Sequence, residues 1–246
     1  MNMREFQNAI HRKLLEHSWR VQRAAPAAQG WQAHRAYWEP AYLRRLGFRP
    51  QTIIDVGAAN GTPGLYAAFP KAQLILVEPV SEFFGEIAQI LGRRGGVHIP
   101  AAAWSSEGEL DLQVEPGDNT RTSHYPRHPL ESPKHTPTPR RVPVTTLDRI
   151  IADHAFPAPF GLKIDTEGAE LEVIRGASAT LERTQFVIAE VDVLPNRFEG
   201  SYSFAQFIAA MDRAGFEVCD LCGIGRASSS HVVDVDLVFQ RRGDRP

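Results

Sequence analysis

At 246 residues the chain fits one α/β domain with an appended segment, long enough to bury a substantial core. Its 27 basic and 29 acidic residues nearly cancel, which argues against a dedicated electrostatic footprint for nucleic acid or a membrane surface. No apolar run approaches the ~18 residues of a membrane span. The N-terminal residues 1–23 lack the continuous apolar centre of a secretory signal, so a cytoplasmic location is expected.

In chain order, residues 4–24 read as an amphipathic helix, with Phe6, Ile10, Leu14 and Val21 near helical spacing. A second helix is expected over 32–46, where Trp31, Tyr37, Trp38 and Tyr42 gather as packing groups against the core. Residues 1–48 thus form an N-terminal helical extension and 49–246 the main domain. Strands are expected at 52–56, 73–78, 97–102, 160–165 and 185–191, with helices near 63–69, 81–92, 146–154 and 168–182. Strands separated by helices imply a parallel sheet with right-handed crossovers. A helix at 203–214 then leads to strands at 216–221 and 232–239, joined by a Gly/Ser-rich link that suits an antiparallel hairpin. Residues 109–115 alternate and read as an inserted strand. Across 116–140, Pro126, Pro129, Pro133, Pro137 and Pro139 break any regular element, so an irregular cover or acceptor-binding loop is expected there.

The chemistry-bearing pattern begins at Thr52-Ile-Ile-Asp-Val-Gly-Ala-Ala-Asn-Gly61, followed by Leu74-Ile-Leu-Val-Glu-Pro79. Apolar strands ending in acids and glycines build a nucleoside pocket at the carboxyl edge of an α/β sheet. Gly57 can turn sharply and admit a ligand against the backbone, and Gly61 permits close packing of the next segment. The dinucleotide fingerprint G-x-G-x-x-G is missing, and Asp55 stands where a pyrophosphate would be repelled but a cationic α-amino group attracted. Glu78 is the expected ribose anchor, because a carboxylate accepts from both hydroxyls. Ala59, Asn60 and Ala102 complete the expected cofactor contacts along the glycine turn and at the third strand's end.

Ile53-Ile-Asp-Val-Gly-Ala-Ala-Asn-Gly61, Val77-Glu-Pro79 and Leu162-Lys-Ile-Asp-Thr-Glu-Gly-Ala-Glu-Leu-Glu-Val-Ile-Arg-Gly176 together resemble the FkbM-like methyltransferases, over roughly residues 50–240. The resemblance implies an α/β, Rossmann-like class I methyltransferase fold. That fold has a mostly parallel seven-stranded sheet with a C-terminal antiparallel hairpin. It also implies S-adenosylmethionine as cofactor and O-methylation of a sugar, glycan end or secondary metabolite. Ala59 stands where the family usually has Asn, with Asn60 one residue later, and Val77 replaces a common Phe. The side chain that meets the methionine portion is therefore left open.

For the reaction, Asp165 closes the strand 160–165 and is the first candidate to orient or deprotonate an acceptor hydroxyl, with Glu190 second. Asp165 is also expected beside the cofactor. Lys163 is expected on the opposite strand face, in a structural role. His124, in Asn119-Thr-Arg-Thr-Ser-His124, is a further candidate base; His128 and His135 read as solvated. No metal ligand is assigned, although Asp165 and Glu190 with Glu167, Asp192 or Asn196 offer oxygens of the type that hold Mg²⁺. The alternative has Glu167 capping the next helix and Glu170 facing solvent. Cys219 and Cys222 lie in a strand-like run and read as packing residues rather than a redox or zinc pair. Two other functions stay open from the residues alone: an NAD-dependent oxidoreductase or epimerase, and a cofactor-binding module without catalysis.

Overall fold

The computed structural model describes residues 40–127, 136–226 and 231–243, and the backbone of 32–34. The expected helix at 4–24, together with Trp31, Tyr37, Trp38, His128 and His135, lies outside the described residues.

The elements in order are β1 (Gln32–His34), α1 (Pro40–Arg45), β2 (Thr52–Val56), α2 (Pro63–Ala68), β3 (Gln73–Val77), α3 (Phe84–Arg94), β4 (Val97–Ile99), β5 (Ala102–Ala103), β6 (Gly108–Val114) and β7 (Thr138–Thr145). After them come α4 (Leu147–His154), β8 (Phe160–Ile164), α5 (Glu170–Arg175), α6 (Ser178–Glu182), β9 (Thr184–Asp192), α7 (Phe204–Arg213), β10 (Phe216–Arg226) and β11 (Val232–Arg241). The main sheet runs β1-β10-β11-β9-β8-β2-β3-β4. Pairing is parallel from β9 through β8, β2 and β3 to β4, whereas β11 and β10 are the antiparallel hairpin. Seven strands therefore carry the expected sheet, and the three-residue β1 adds an edge against β10. That edge corrects the sequence expectation of one helix over 32–46: the helix begins at Pro40.

β2 and β8 are buried along their whole length, as parallel strands covered on both faces must be. One face packs Ile54, Val56, Leu162, Ile164, Val187 and Ala189 into a core with Leu147, Leu171, Leu181 and Phe207 from α4–α7. The other packs Ile53, Leu74, Leu76, Phe186 and Ile188 against Leu43, Phe48, Leu65 and Ile87. The helix expected over 168–182 is two helices, broken at Gly176, where a Cβ would collide with the Trp104 carbonyl oxygen. Among the described residues no helix is long and apolar enough to cross a membrane.

A second sheet, β5-β7-β6, grows from the region after β4. It corrects the expected irregularity of 116–140 at both ends. β7 starts at Thr138, Asn119–Arg121 form a 3₁₀ turn, and Gln113 bridges Ser123. Residues 128–135 lie outside the described set.

The sheet order sets the position of the site. From β2 the chain runs outward to β3 and β4, then returns to place β8 on β2's other flank. Ligands bind at such a switch point, beyond the carboxyl ends of the strands. Here the loop after β2 meets the loop after β8: the Asp165 amide donates to the Val56 carbonyl at 3.1 Å. Gly57 has φ +70°, and a Cβ there would collide with the Asp165 carbonyl oxygen, so glycine is required by conformation and by space.

Candidate active site

A cavity of about 670 Å³ opens at this switch point, within the usual range for small-molecule sites. Its lining includes the whole glycine turn, residues 57–61, with Glu78 and Ala102 from the ends of the neighbouring strands. Lys163 enters from β8, Asp165 and Glu167 from the loop after it, and Trp104 and His124 from beside the smaller sheet.

Glu78 is 4 % exposed. One oxygen accepts from the Ala59 amide and the other from the Val80 amide, both at 2.8 Å. An ionised carboxylate has about four acceptor positions, so two remain for a ligand after these two bonds. Burial pushes the Glu78 carboxyl up to about 7, against the pull of the two amides and of Lys163. Ala59 reaches its amide toward Glu78 from a left-handed backbone, φ +43°. Asn60 is exposed at the rim. A cavity lined by the glycine turn, beside a buried carboxylate with spare acceptor positions, suits the adenosine portion of S-adenosylmethionine.

Asp55 does not face the cavity, contrary to the sequence expectation. It is fully buried and receives Tyr66 Oη at 2.5 Å, Thr62 Oγ1 at 2.8 Å and the Lys163 ammonium at 3.2 Å. Its charge is spent on the protein, tying α2 and the glycine turn to β2. Lys163 is also placed differently from expectation. It stands two residues before Asp165, so strand alternation sends both side chains to the same face. Its ammonium donates to the Gly57 carbonyl at 2.8 Å and lies 3.6 Å from Asp165 Oδ2. One cation thus joins the glycine turn, the buried Asp55 and the candidate base.

The Asp165 side chain keeps 19 % of its surface exposed and lines the cavity. His124 lines it too: Nδ1 donates to the Asp111 carbonyl at 2.9 Å, which leaves Nε2 as the acceptor of the neutral ring. The Trp104 ring stands edge-on to His124 at 5.3 Å and stacks with Tyr125 at 6.1 Å. Glu190 is only 8 % exposed and sits behind this surface. Burial and the nearby Asp165 push its carboxyl well above the usual range.

Asp165, Glu167 and Glu190 each offer an oxygen within 4.8 Å of the others, a donor set that suits a hard divalent cation. The Arg197 guanidinium already reaches this region. It meets Asp192 at 2.8 Å, Asp234 at 3.0 Å, Glu190 at 3.3 Å and Glu167 at 3.5 Å. Burial raises Asp192 to about 8 although Arg197 pulls it back. Asn196 takes a left-handed turn, φ +56°, just before Arg197. Neither Glu167 nor Glu170 takes its expected role. Glu167 pairs with Arg127 at 3.0 Å, whereas Glu170 is buried and accepts from the Thr166 and Gly168 amides and from Tyr202 Oη. The second acid of the E-G-x-E run therefore shapes the loop that carries Asp165.

The methyltransferase FkbM domain model matches residues 55–218. The chain belongs to the FkbM methyltransferase family. It therefore carries a methyltransferase domain, and the oxidoreductase reading gives way to that assignment. Among curated proteins, the hexuronic acid methyltransferase AglP of Haloferax volcanii is 27 % identical over 141 residues, or 56 % of this chain and 55 % of AglP. The match thus spans about half of that relative's length. Among solved structures, magnesium protoporphyrin IX methyltransferase of Synechocystis PCC 6803 with bound S-adenosylmethionine aligns at TM-score 0.45 and 10 % identity. That alignment covers 95 % of this chain and 96 % of the other. The precorrin-6y C5,15-methyltransferase of Geobacter metallireducens aligns at TM-score 0.43 and 13 % identity, covering 81 % and 84 %.

In this FkbM-family chain, several residues that shape the site were not singled out from sequence. Tyr66 was legible only as an aromatic in a helix; Arg197 reaches the site from the turn after β9, and Asp234 and Asp236 through strand pairing far along the chain. Asp236 sits opposite Glu190, and Asp234 opposite Asp192, across β11 and β9. Cys219 is exposed and Cys222 buried within β10, and burial pushes both thiols up, Cys219 to about 11. Neither thiol has the depressed pKa of a reactive cysteine.

Proposed function

We propose that this chain transfers a methyl group to a hydroxyl of a sugar or glycan unit. The observation that carries this reading is the placement of Asp165 and His124 on the same cavity as Glu78 and the glycine turn. That AglP is a hexuronic acid methyltransferase supports a sugar acceptor. In this reading residues 57–61 and Glu78 hold S-adenosylmethionine, with Glu78 accepting from the ribose hydroxyls. The bound cofactor supplies a methyl group on a sulfonium, which departs as a neutral thioether when the methyl is transferred.

The chain's own residues have modest work to do, chiefly alignment and proton removal. Asp165 accepts a hydrogen bond from the acceptor hydroxyl and takes its proton as the new C–O bond forms. Lys163, fixed by Asp55 and the Gly57 carbonyl, holds the Asp165 carboxylate toward the cavity. His124 Nε2 is the second acceptor within the same wall. Titration calorimetry with S-adenosylmethionine, followed by labelled methyl transfer to a set of glycosides, tests the reading. Cofactor binding without transfer to any sugar hydroxyl would move the acceptor to another chemical class.

A further inference from the structure

The cavity's charge and its aromatic wall narrow the acceptor beyond a sugar in general. Among the described lining residues, Glu78, Asp165, Glu167 and Asp236 carry carboxyl groups, and Lys163 is the lysine or arginine among them. Two guanidiniums stand nearby, each with 8 % of its side chain exposed. Both are turned to protein acids: Arg127 to Glu167, and Arg197 to Glu167, Glu190, Asp192 and Asp234. Planar recognition of a carboxylate calls for a guanidinium fork aimed at the ligand. These two forks are aimed into the protein, and Lys163 is held by Asp55 and the Gly57 carbonyl. A second negative charge brought beside Asp165 and Asp236 would meet like charge in a partly desolvated site.

Trp104 is half-buried, lines the same cavity and is braced by His124 and Tyr125. An indole face is electron-rich and attracts the weakly positive C–H edges of a saturated ring. Asn119, Thr120 and Thr122 add donors and acceptors on the same wall.

Resting on the methyltransferase reading above, we infer that the acceptor is a neutral sugar ring, stacked on Trp104 with a hydroxyl toward Asp165, and that rings bearing a carboxylate are rejected. The preference is thus the reverse of the one that AglP's name states for that relative. Bond-making is unchanged: the sugar oxygen gains the methyl carbon, the carbon–sulfur bond breaks, and the hydroxyl proton goes to Asp165.

The test uses the full chain with labelled S-adenosylmethionine and matched pairs of methyl hexopyranosides and the corresponding methyl hexuronosides. Neutral members should be methylated with kcat/KM at least about tenfold above their uronic partners, the discrimination expected of like-charge rejection. Trp104→Ala should raise KM for the neutral sugar about tenfold and leave cofactor affinity unchanged, and Trp104→Phe should restore most of it. Equal or faster transfer to the hexuronosides overturns the inference, as does an unchanged KM in Trp104→Ala. Transfer to neither class also overturns it, while cofactor binding in the same sample leaves the methyltransferase assignment standing. Absence of cofactor binding would strike that underlying reading instead.

Discussion

Lys163 and Asp165 leave the same face of β8, and the ammonium of the first lies 3.6 Å from the carboxylate of the second. The same ammonium is 3.2 Å from Asp55, which is fully buried. Removing it would leave Asp55 as a buried charge with hydroxyl partners alone. Breaking one side of a buried pair costs about 3–5 kcal/mol, so Lys163→Met should lower the melting temperature clearly. It should also weaken cofactor binding, because the Gly57 carbonyl loses its donor. Asp55→Asn in the Lys163→Met background should recover part of the stability, since the stranded charge is gone. A Lys163→Met protein as stable as the parent would show that the pair contributes nothing net.

Glu78 gives a pH prediction. Its carboxyl is held near 7 by burial, against an ordinary value of 4.5. Between those values the folded protein keeps a proton that the unfolded chain releases, so this group's contribution to apo stability falls as pH rises through the window. Ribose hydroxyls donate best to the ionised form, so binding expels the proton. Lys163 favours the charge and Asp55 opposes it. Cofactor affinity should therefore improve about tenfold from pH 6 to pH 8, with proton release on binding below pH 7. Calorimetry in buffers of different ionisation enthalpy reads both. Glu78→Ala should cost about 2–4 kcal/mol of affinity and abolish the pH dependence. A flat affinity between pH 6 and pH 8 would remove Glu78 from the ribose site.

Much of the frame was readable along the chain because buried parallel strands are short apolar runs. Ile53 to Val56 and Leu74 to Val77 declare themselves, and the acids that follow mark the sheet's carboxyl edge. β7 was hidden: Pro139, Pro143, Arg140 and Arg141 mask the two buried positions, Val142 and Val144. It tolerates the prolines because β5 pairs only with Val144 and Thr145, so most of β7 is an edge. β1 is a strand by virtue of β10 alone, a partner nearly two hundred residues away along the chain. At the site, Asp165 and Glu78 were legible from strand ends. The neighbours that decide what those acids can do, Arg197 in the turn after β9 and Asp236 on β11, leave no such pattern in the sequence. Lys163 is the exception: its two-residue offset from Asp165 puts both on one face, a local signal that the expectation of an opposite face overlooked.

The carboxylates around Asp165 and Glu190 resemble a divalent-cation site in donor type, but Arg197 already brings a fixed positive charge to four of the surrounding acids. We expect methyl transfer to survive exhaustive chelation with no more than about a twofold loss, since no step requires a Lewis acid. Arg197→Met should destabilise the fold by about 3–5 kcal/mol, as the loss of one partner from a buried ionic cluster does. Activity that collapses with chelator and returns with Mg²⁺ would place a metal among Asp165, Glu167 and Glu190 instead.

Asp165 carries the sharpest catalytic prediction. Its backbone is locked from both sides: its amide donates to Val56, and Gly57 leaves no room between its carbonyl and the glycine turn. Asp165→Asn should therefore keep the loop, the shape and the cofactor affinity. What it loses is a proton acceptor that faces the cavity, worth about 10²–10⁴ in rate when proton removal accompanies C–O bond formation. The loss should fall on kcat with the acceptor KM little changed, because the amide can still orient the hydroxyl. His124→Gln gives the contrast. If His124 Nε2 is the working base, its removal should cost more than Asp165→Asn does. Near-full activity in Asp165→Asn together with that loss in His124→Gln would transfer the role to His124.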